Sequence, residues 1–157
     1  MSTTVPDDLN PGPGLTVAPS QIDGLGLFAT EPFAKHATID DRAVSRSDDG
    51  YGGNRYEESD AARFTNHSDN PSAVLVSAGD TVKLAAVRAL SPGDEVTVDY
   101  RKVASVLDSP FTLWYRGRPY SGESTSGAGR VKQAIFGDLG DAVQTTLINP
   151  VIGGMAA

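Results

Sequence analysis

The sequence predicts a mainly β domain, and three observations carry that expectation. Glycine (17) and proline (10) are frequent in a chain of 157 residues, so the backbone turns often. Short apolar runs alternate with polar residues at period two, most clearly in Val96-Thr97-Val98-Asp99. Turn signals separate these runs: Asn70-Pro71, Ala78-Gly79-Asp80 and Ser91-Pro92-Gly93-Asp94. Pro followed by Gly in the last of these is the order of a type II turn.

Taken in order, residues 1–19 are rich in Pro, Gly and small polar residues and read as a flexible arm. The next stretch, QIDGLGLFA (Gln21 to Ala29), contains Gly24-x-Gly26-x-x-Ala29. That spacing matches the dinucleotide-binding glycine pattern, which needs a buried strand before it and a helix after it. Ala18 to Gln21 does not read as a buried strand, and Pro32 stops a long helix. A nicotinamide oxidoreductase is therefore set aside. Ala34 to Val44 is expected to pair with the segment before it, centred on Ala37-Thr38-Ile39. Ser45 to Asn54 is polar and glycine-rich and reads as a loop, flanked at its end by Tyr51 and Tyr56. Ala73 to Val76 and Val82 to Leu90 form a hairpin about Ala78-Gly79-Asp80. Val96 and Val98 belong to a half-buried strand that ends on the phenol of Tyr100.

Beyond Lys102, Phe111, Trp114 and Tyr115 form the densest aromatic cluster, in a segment taken as 103–120. Residues 121–129 have linker composition. Val131, Ile135, Leu139, Val143 and Leu147 then recur every four residues, the apolar stripe of an amphipathic C-terminal helix. Gly137 and Gly140 interrupt it, and a tail follows, so 121–157 is read as linker, helix and tail.

Composition excludes several classes. Net charge is −7, which suits a cationic partner and disfavours direct nucleic-acid binding, because phosphate contacts need Lys and Arg. Acidic residues concentrate between Ile39 and Ala61, a face suited to a basic, Lys-containing protein. There is no Cys, so neither disulfides nor cysteinyl zinc sites form, and two His are too few for a His-built metal centre. No metal is assigned. No apolar run reaches membrane-spanning length and the N-terminus lacks signal-peptide order, so the expectation is a soluble, intracellular protein.

The chemistry-bearing stretch is Ala62 to Tyr100. It contains Arg63-Phe64-x-Asn66-His67-Ser68-x-x-Pro71 and, after the hairpin, Gly93-Asp94-Glu95-Val96-Thr97-Val98-Asp99-Tyr100. In this order the two motifs resemble the signatures of SET-domain protein lysine methyltransferases, in particular the compact, zinc-free viral and bacterial type. The resemblance covers about Gln21 to Lys102, so residues 20–102 would be the SET core. It implies small curved sheets and hairpins about a pseudoknot (a β-clip fold), S-adenosylmethionine as cofactor, and a protein lysine as methyl acceptor. By the same resemblance Tyr100 is the channel tyrosine. Gly24, Leu25, Gly26, Leu27, Arg63, Phe64, Asn66 and His67 border the cofactor, with glycines where a Cβ would block its approach. Trp114 stacks on the adenine, walls the lysine channel or anchors the core, and Tyr51, Tyr56, Val98 and Tyr115 are the further channel candidates.

Two departures from the family pattern stand out. Ser72 replaces an Asn, which puts local loop hydrogen bonding in question. Val98 stands where a Phe or Tyr is frequent and bears on how many methyl groups are added. An alternative of another class stays open: a SET-fold binding or structural module with weak or lost catalysis, for example of a virus particle, forming a homo-oligomer or larger assembly through its termini.

Overall fold

The computed structural model describes residues 4–48, 50–107 and 111–119. The expected C-terminal helix and linker lie outside the described residues. Ten strands dominate the rest, so the fold is mainly β as the turn density and alternation require. They are β1 (Leu15–Pro19), β2 (Leu25–Ala29), β3 (Thr38–Asp48), β4 (Asn54–Glu58), β5 (Asn66–His67), β6 (Ala73–Ala78), β7 (Thr81–Ala86), β8 (Glu95–Val98), β9 (Phe111–Tyr115) and β10 (Arg118–Pro119). One helical turn, α1 (Asp60–Arg63), and a 3-10 helix (Tyr100–Ser105) complete the elements. They form a four-stranded sheet ordered β1-β2-β8-β5 and a six-stranded sheet ordered β10-β9-β4-β3-β7-β6.

The two motifs meet through a short parallel pairing. Asn66 and His67 of β5 lie opposite Thr97 and Val98 of β8, although the hairpin and a turn separate them in sequence. That hairpin forms as expected, with β6 and β7 in antiparallel register from Ala78↔Thr81 to Ala73↔Ala86. The turn before β8 closes as expected too, its Asp94 N–H donating to the Ser91 carbonyl at 3.0 Å. The expected alternation in β8 is not one-sided, however: Val96, Thr97 and Val98 are all buried, because β8 sits between β2 and β5 with both faces covered.

Three expectations are corrected. The expected arm over 1–19 ends in a strand: β1 pairs with β2 from Leu15↔Ala29 to Pro19↔Leu25, and Leu15 and Val17 enter the core. Pro19 is tolerated there because β1 is a sheet edge. The segment around Ile39 does not pair with what precedes it; β3 lies between β4 and β7. The expected loop over 45–54 shrinks, since β3 continues to Asp48 and β4 starts at Asn54. Polar residues suit both because one face of this hairpin is open to solvent.

The N-terminal residues are tied to the β9–β10 turn by Asp60, in the first turn of α1. Its carboxylate accepts from the Asn10 N–H at 2.9 Å, Tyr115 Oη at 2.7 Å and Arg116 Nη2 at 3.1 Å. Arg116 also pairs with Asp8. Burial alone would raise the Asp60 carboxyl, but the hydrogen bonds from Arg116, Asn10 and Tyr115 outweigh it and hold it below the ordinary carboxylate range. A lowered carboxylate contributes stability that is present above its unfolded value and is lost as pH falls through the folded one. Asp60→Asn is therefore expected to be less stable than the parent at pH 6, with the difference shrinking below about pH 4. Urea unfolding at both pH values checks this, and a difference independent of pH contradicts it.

Candidate active site

Tyr100 is the centre of the site. It stands just past the end of β8, where Asp99 caps the 3-10 helix by accepting from the Arg101 N–H. The side chain is 1% exposed and its hydroxyl donates to the Thr65 carbonyl at 2.5 Å. Its backbone N–H donates to His67 Nδ1 at 3.0 Å. An accepting Nδ1 places the proton of the neutral imidazole on Nε2, which faces Asp69 Oδ1 at 3.0 Å. Tyr100 is thus held at both ends by the first motif: His67 anchors its backbone and Thr65 its phenol. Burial pushes the phenol well above its ordinary value, and Glu58 adds to the shift. The hydroxyl stays protonated, with its hydrogen donated to the Thr65 carbonyl.

A narrow cavity opens beside that hydroxyl. Its walls are mostly apolar, with Val44 and Leu84 from the large sheet, Ala62 from α1, Val98 from β8 and Leu113 from β9. The polar members are Tyr100, Thr65 and Glu58. Val98, a channel candidate from sequence, is here. Tyr51, Tyr56 and Tyr115 are not among the lining residues. Tyr51 is 71% exposed between β3 and β4. Tyr56 is buried edge-on against Phe111, with ring centroids 6.0 Å apart. Tyr115 points its hydroxyl at Asp60 and packs edge-on to Phe64.

The aromatic segment does close the site, but through another residue. β9 runs parallel to β4 with Tyr56 opposite Leu113 and Glu58 opposite Tyr115. Strand alternation puts Leu113 and Tyr115 on the face shared with Tyr56 and Glu58, and Trp114 on the other. Trp114 lies there under the Arg55 guanidinium, 3.6 Å from its ring centroid. It is therefore not brought to the cavity beside Tyr100.

The residues expected at the cofactor divide into two groups. Asn66 is fully buried and its amide nitrogen donates to the carbonyls of Asp23 and Leu25 and to Glu95 Oε2, at 3.1, 3.3 and 2.9 Å. The Gly24-to-Leu27 stretch is thereby fastened to the first motif. Arg63 and Phe64 instead serve the interior: Phe64 is core, and the Arg63 guanidinium is buried 5.4 Å from the Tyr115 ring. Burial pushes the Arg63 guanidinium below its ordinary value, with Glu58 opposing that effect.

Sequence reasoning missed Glu95, whose carboxylate joins Ser20 Oγ (2.9 Å) to Asn66. It also explains Gly26. A Cβ there would fall 2.3 Å from Glu95 Oε2, so a larger residue would have to displace the carboxylate that joins Ser20 to Asn66. Gly24 differs, since its φ of +47° lets the chain turn between β1 and β2. A Glu just before an apolar strand residue carries no signal of its own; only the β5–β8 pairing brings it to Asn66.

Ser72 does not leave the loop loose. Its hydroxyl donates to the Glu95 carbonyl at 2.9 Å and accepts from the Thr97 N–H at 2.9 Å, while its own N–H donates to Thr97 Oγ1 at 3.1 Å. Ser72→Ala strands the Thr97 N–H in the interior and is expected to cost about 1–3 kcal/mol. Denaturant unfolding measures it; a loss within a few tenths of zero contradicts the assignment.

Residues 38–101 match the family model described as SET domain. That stretch is a SET domain. The match runs from β3 through Tyr100, so it spans both motifs and the junction between them. No curated protein matches the chain by sequence. Among solved structures, a Plasmodium falciparum protein assigned as a histone methyltransferase is similar at a TM-score of 0.46 and 19% identity, covering 57% of this chain and 94% of that one. The methyltransferase domain of human PR domain-containing protein 2 is similar at a TM-score of 0.44 and 14% identity, covering 68% and 80%. Among the described residues no helix is long and apolar enough to cross a membrane.

Proposed function

We propose that this SET domain transfers a methyl group from S-adenosylmethionine to the ε-amine of a lysine in a protein substrate. One observation carries the reading: Tyr100, its hydroxyl proton committed to Thr65, lines a narrow, mostly apolar cavity at the junction of the two motifs. Such a cavity suits an alkyl chain that ends in nitrogen. Its apolar walls favour the neutral amine over the ammonium, lowering a lysine pKa that is about 10.4 in water. The phenol oxygen offers lone pairs to an amine N–H or to a polarised methyl C–H. Holding donor and acceptor in line supplies much of the rate in a displacement of this kind.

The chain also supports the cofactor. Asn66 Oδ1 is, among the described residues, the one buried side-chain polar atom with no hydrogen-bond partner. An orphaned acceptor beneath the Asp23–Leu25 backbone fits an ammonium group such as that of the methionine part. Asn66, His67 and the Gly24–Leu27 backbone would hold the group. When bound, it supplies a sulfonium-activated methyl. The acidic composition supports a basic protein as the acceptor.

The test is transfer of labelled methyl from the cofactor to Lys-containing proteins, with the modified residue located by mass spectrometry and cofactor binding measured by calorimetry. Methylated lysine together with micromolar binding is the expected result. A folded sample that neither binds the cofactor nor transfers methyl overturns the proposal and leaves the binding module.

A further inference from the structure

The imidazole of His67 sits between the two motifs. Nδ1 accepts from the Tyr100 backbone N–H at 3.0 Å, and Nε2 lies 3.0 Å from Asp69 Oδ1. A second carboxylate oxygen, Asp99 Oδ1, stands 3.8 Å from Nδ1, just beyond hydrogen-bond reach. Arg101 clasps both acids, with Nη2 2.8 Å from Asp69 Oδ1 and Nε 3.0 Å from Asp99 Oδ1. The Tyr100 ring, a neutral phenol, tilts over the imidazole at a centroid distance of 5.3 Å. Two carboxylates and one guanidinium thus face the imidazole, with one negative charge in excess. The hydrogen bond from Arg101 holds the Asp99 carboxyl below its ordinary range, so Asp99 keeps its charge wherever a histidine titrates.

We propose that His67 positions Tyr100 only while its imidazole is neutral, and that proton uptake turns Nδ1 from the Tyr100 N–H to Asp99 and loosens the placement of the phenol. The exchange of partners stands on this geometry alone; its effect on turnover rests on the methyltransferase reading.

The chemistry of the ring requires the exchange. A neutral imidazole has one N–H and one lone pair, whereas the protonated ring has two N–H donors. Nε2 already carries the hydrogen that faces Asp69, so the second proton enters at Nδ1. The ring is 20% exposed, and solvent supplies that proton. Two donors then oppose each other at Nδ1 and the Tyr100 N–H, and the backbone anchor is lost. The new Nδ1–H reaches Asp99 Oδ1 by a shift of about 1 Å, forming a charge-assisted bond. Tyr100 stays tethered at its far end by the Thr65 carbonyl. Displacing its backbone therefore swings the ring about that point. In-line transfer tolerates little of this, since a misplacement of about 1 Å can cost about 10²-fold in rate.

The experiment follows the full-length protein by NMR between pH 8 and pH 5, the window in which histidines change charge. His36 is the other histidine of the chain, and His36→Asn assigns the two sets of ring signals. In the parent, the Tyr100 amide signal should move with the same midpoint as the His67 ring. Asp99→Asn removes the waiting carboxylate and should move that midpoint to lower pH. In His67→Asn the side-chain carbonyl can accept from the Tyr100 N–H without titrating, so the amide signal should stay flat across the window. Protonation of the lysine substrate slows parent and His67→Asn alike. At saturating substrates the parent should therefore lose about tenfold more rate than His67→Asn between pH 8 and pH 5.5. A Tyr100 amide that does not follow the His67 ring overturns the proposal, and that titration of the parent decides whether or not a variant folds. An amide in His67→Asn that titrates as in the parent also overturns it, as does a midpoint unmoved by Asp99→Asn. Coupled titration in a protein that transfers no methyl overturns the methyltransferase reading and leaves the exchange of partners standing.

Discussion

Tyr100→Phe is expected to lower kcat by about 10²–10³-fold while leaving cofactor affinity within about twofold. The substitution removes one oxygen from a buried site. Thr65 loses the donor to its carbonyl, and the cavity loses the acceptor that orients an incoming amine. The backbone anchor survives, because the Tyr100 N–H still donates to His67. Ring packing in the core also survives, so the fold should change little. Steady-state kinetics and calorimetry on the same preparations separate the two effects. Equal activity of parent and variant removes Tyr100 from the chemistry. An equal loss in kcat and in cofactor affinity makes it a structural residue instead. The protonated state of the phenol sharpens the expectation: a group held above its ordinary value serves as a hydrogen-bonding oxygen and not as a base at neutral pH.

Asn66→Ala should have the larger effect on stability. Three hydrogen bonds leave with the amide, and the Asp23 and Leu25 carbonyls and one Glu95 oxygen lose a donor in the interior. A net cost of about 2–4 kcal/mol is expected, since a half-buried carboxylate that keeps only its Ser20 donor loses more than a neutral group would. The same substitution removes the orphaned acceptor Oδ1 and frees the glycine segment from the first motif. Cofactor binding should therefore weaken by at least about tenfold at a temperature where the variant is still folded. Asn66→Asp is the sharper comparison, because it keeps the shape and sets a second carboxylate against Glu95. It should be no more stable than the alanine variant; a variant as stable as the parent would show that the Asn66–Glu95 contact is dispensable. Chemical denaturation gives the first quantity and calorimetry the second.

The two motifs were legible in the chain because they are contiguous and dense in functional residue types. Arg63 to Pro71 and Gly93 to Tyr100 each carry their own turn chemistry, and the Ala73–Leu90 hairpin between them announces itself by alternation and a Gly-Asp turn. Gly24 and Gly26 were legible as a motif, but for an incomplete reason: Gly26 makes room for Glu95, a contact across the sheet that no local pattern encodes. Ser72 is similar. Read locally it is a departure in a loop, whereas in the fold it bonds to both Glu95 and Thr97 of β8.

Local sequence by itself determined a mainly β chain, its turns, and which two segments carry chemistry, because period-two alternation and turn residues act over a few positions. Tertiary structure alone decided which residues surround the Tyr100 hydroxyl. Of the aromatic site candidates read from sequence, strand direction turned Tyr56 into the core and Trp114 to the outer face. Glu58 and Leu113 reach the cavity because β9 lies parallel to β4 in one particular register. A shift of one residue would exchange every inward and outward side chain on β9. That register is a property of two strands distant in sequence, so it is written in their packing and in no single stretch of the chain.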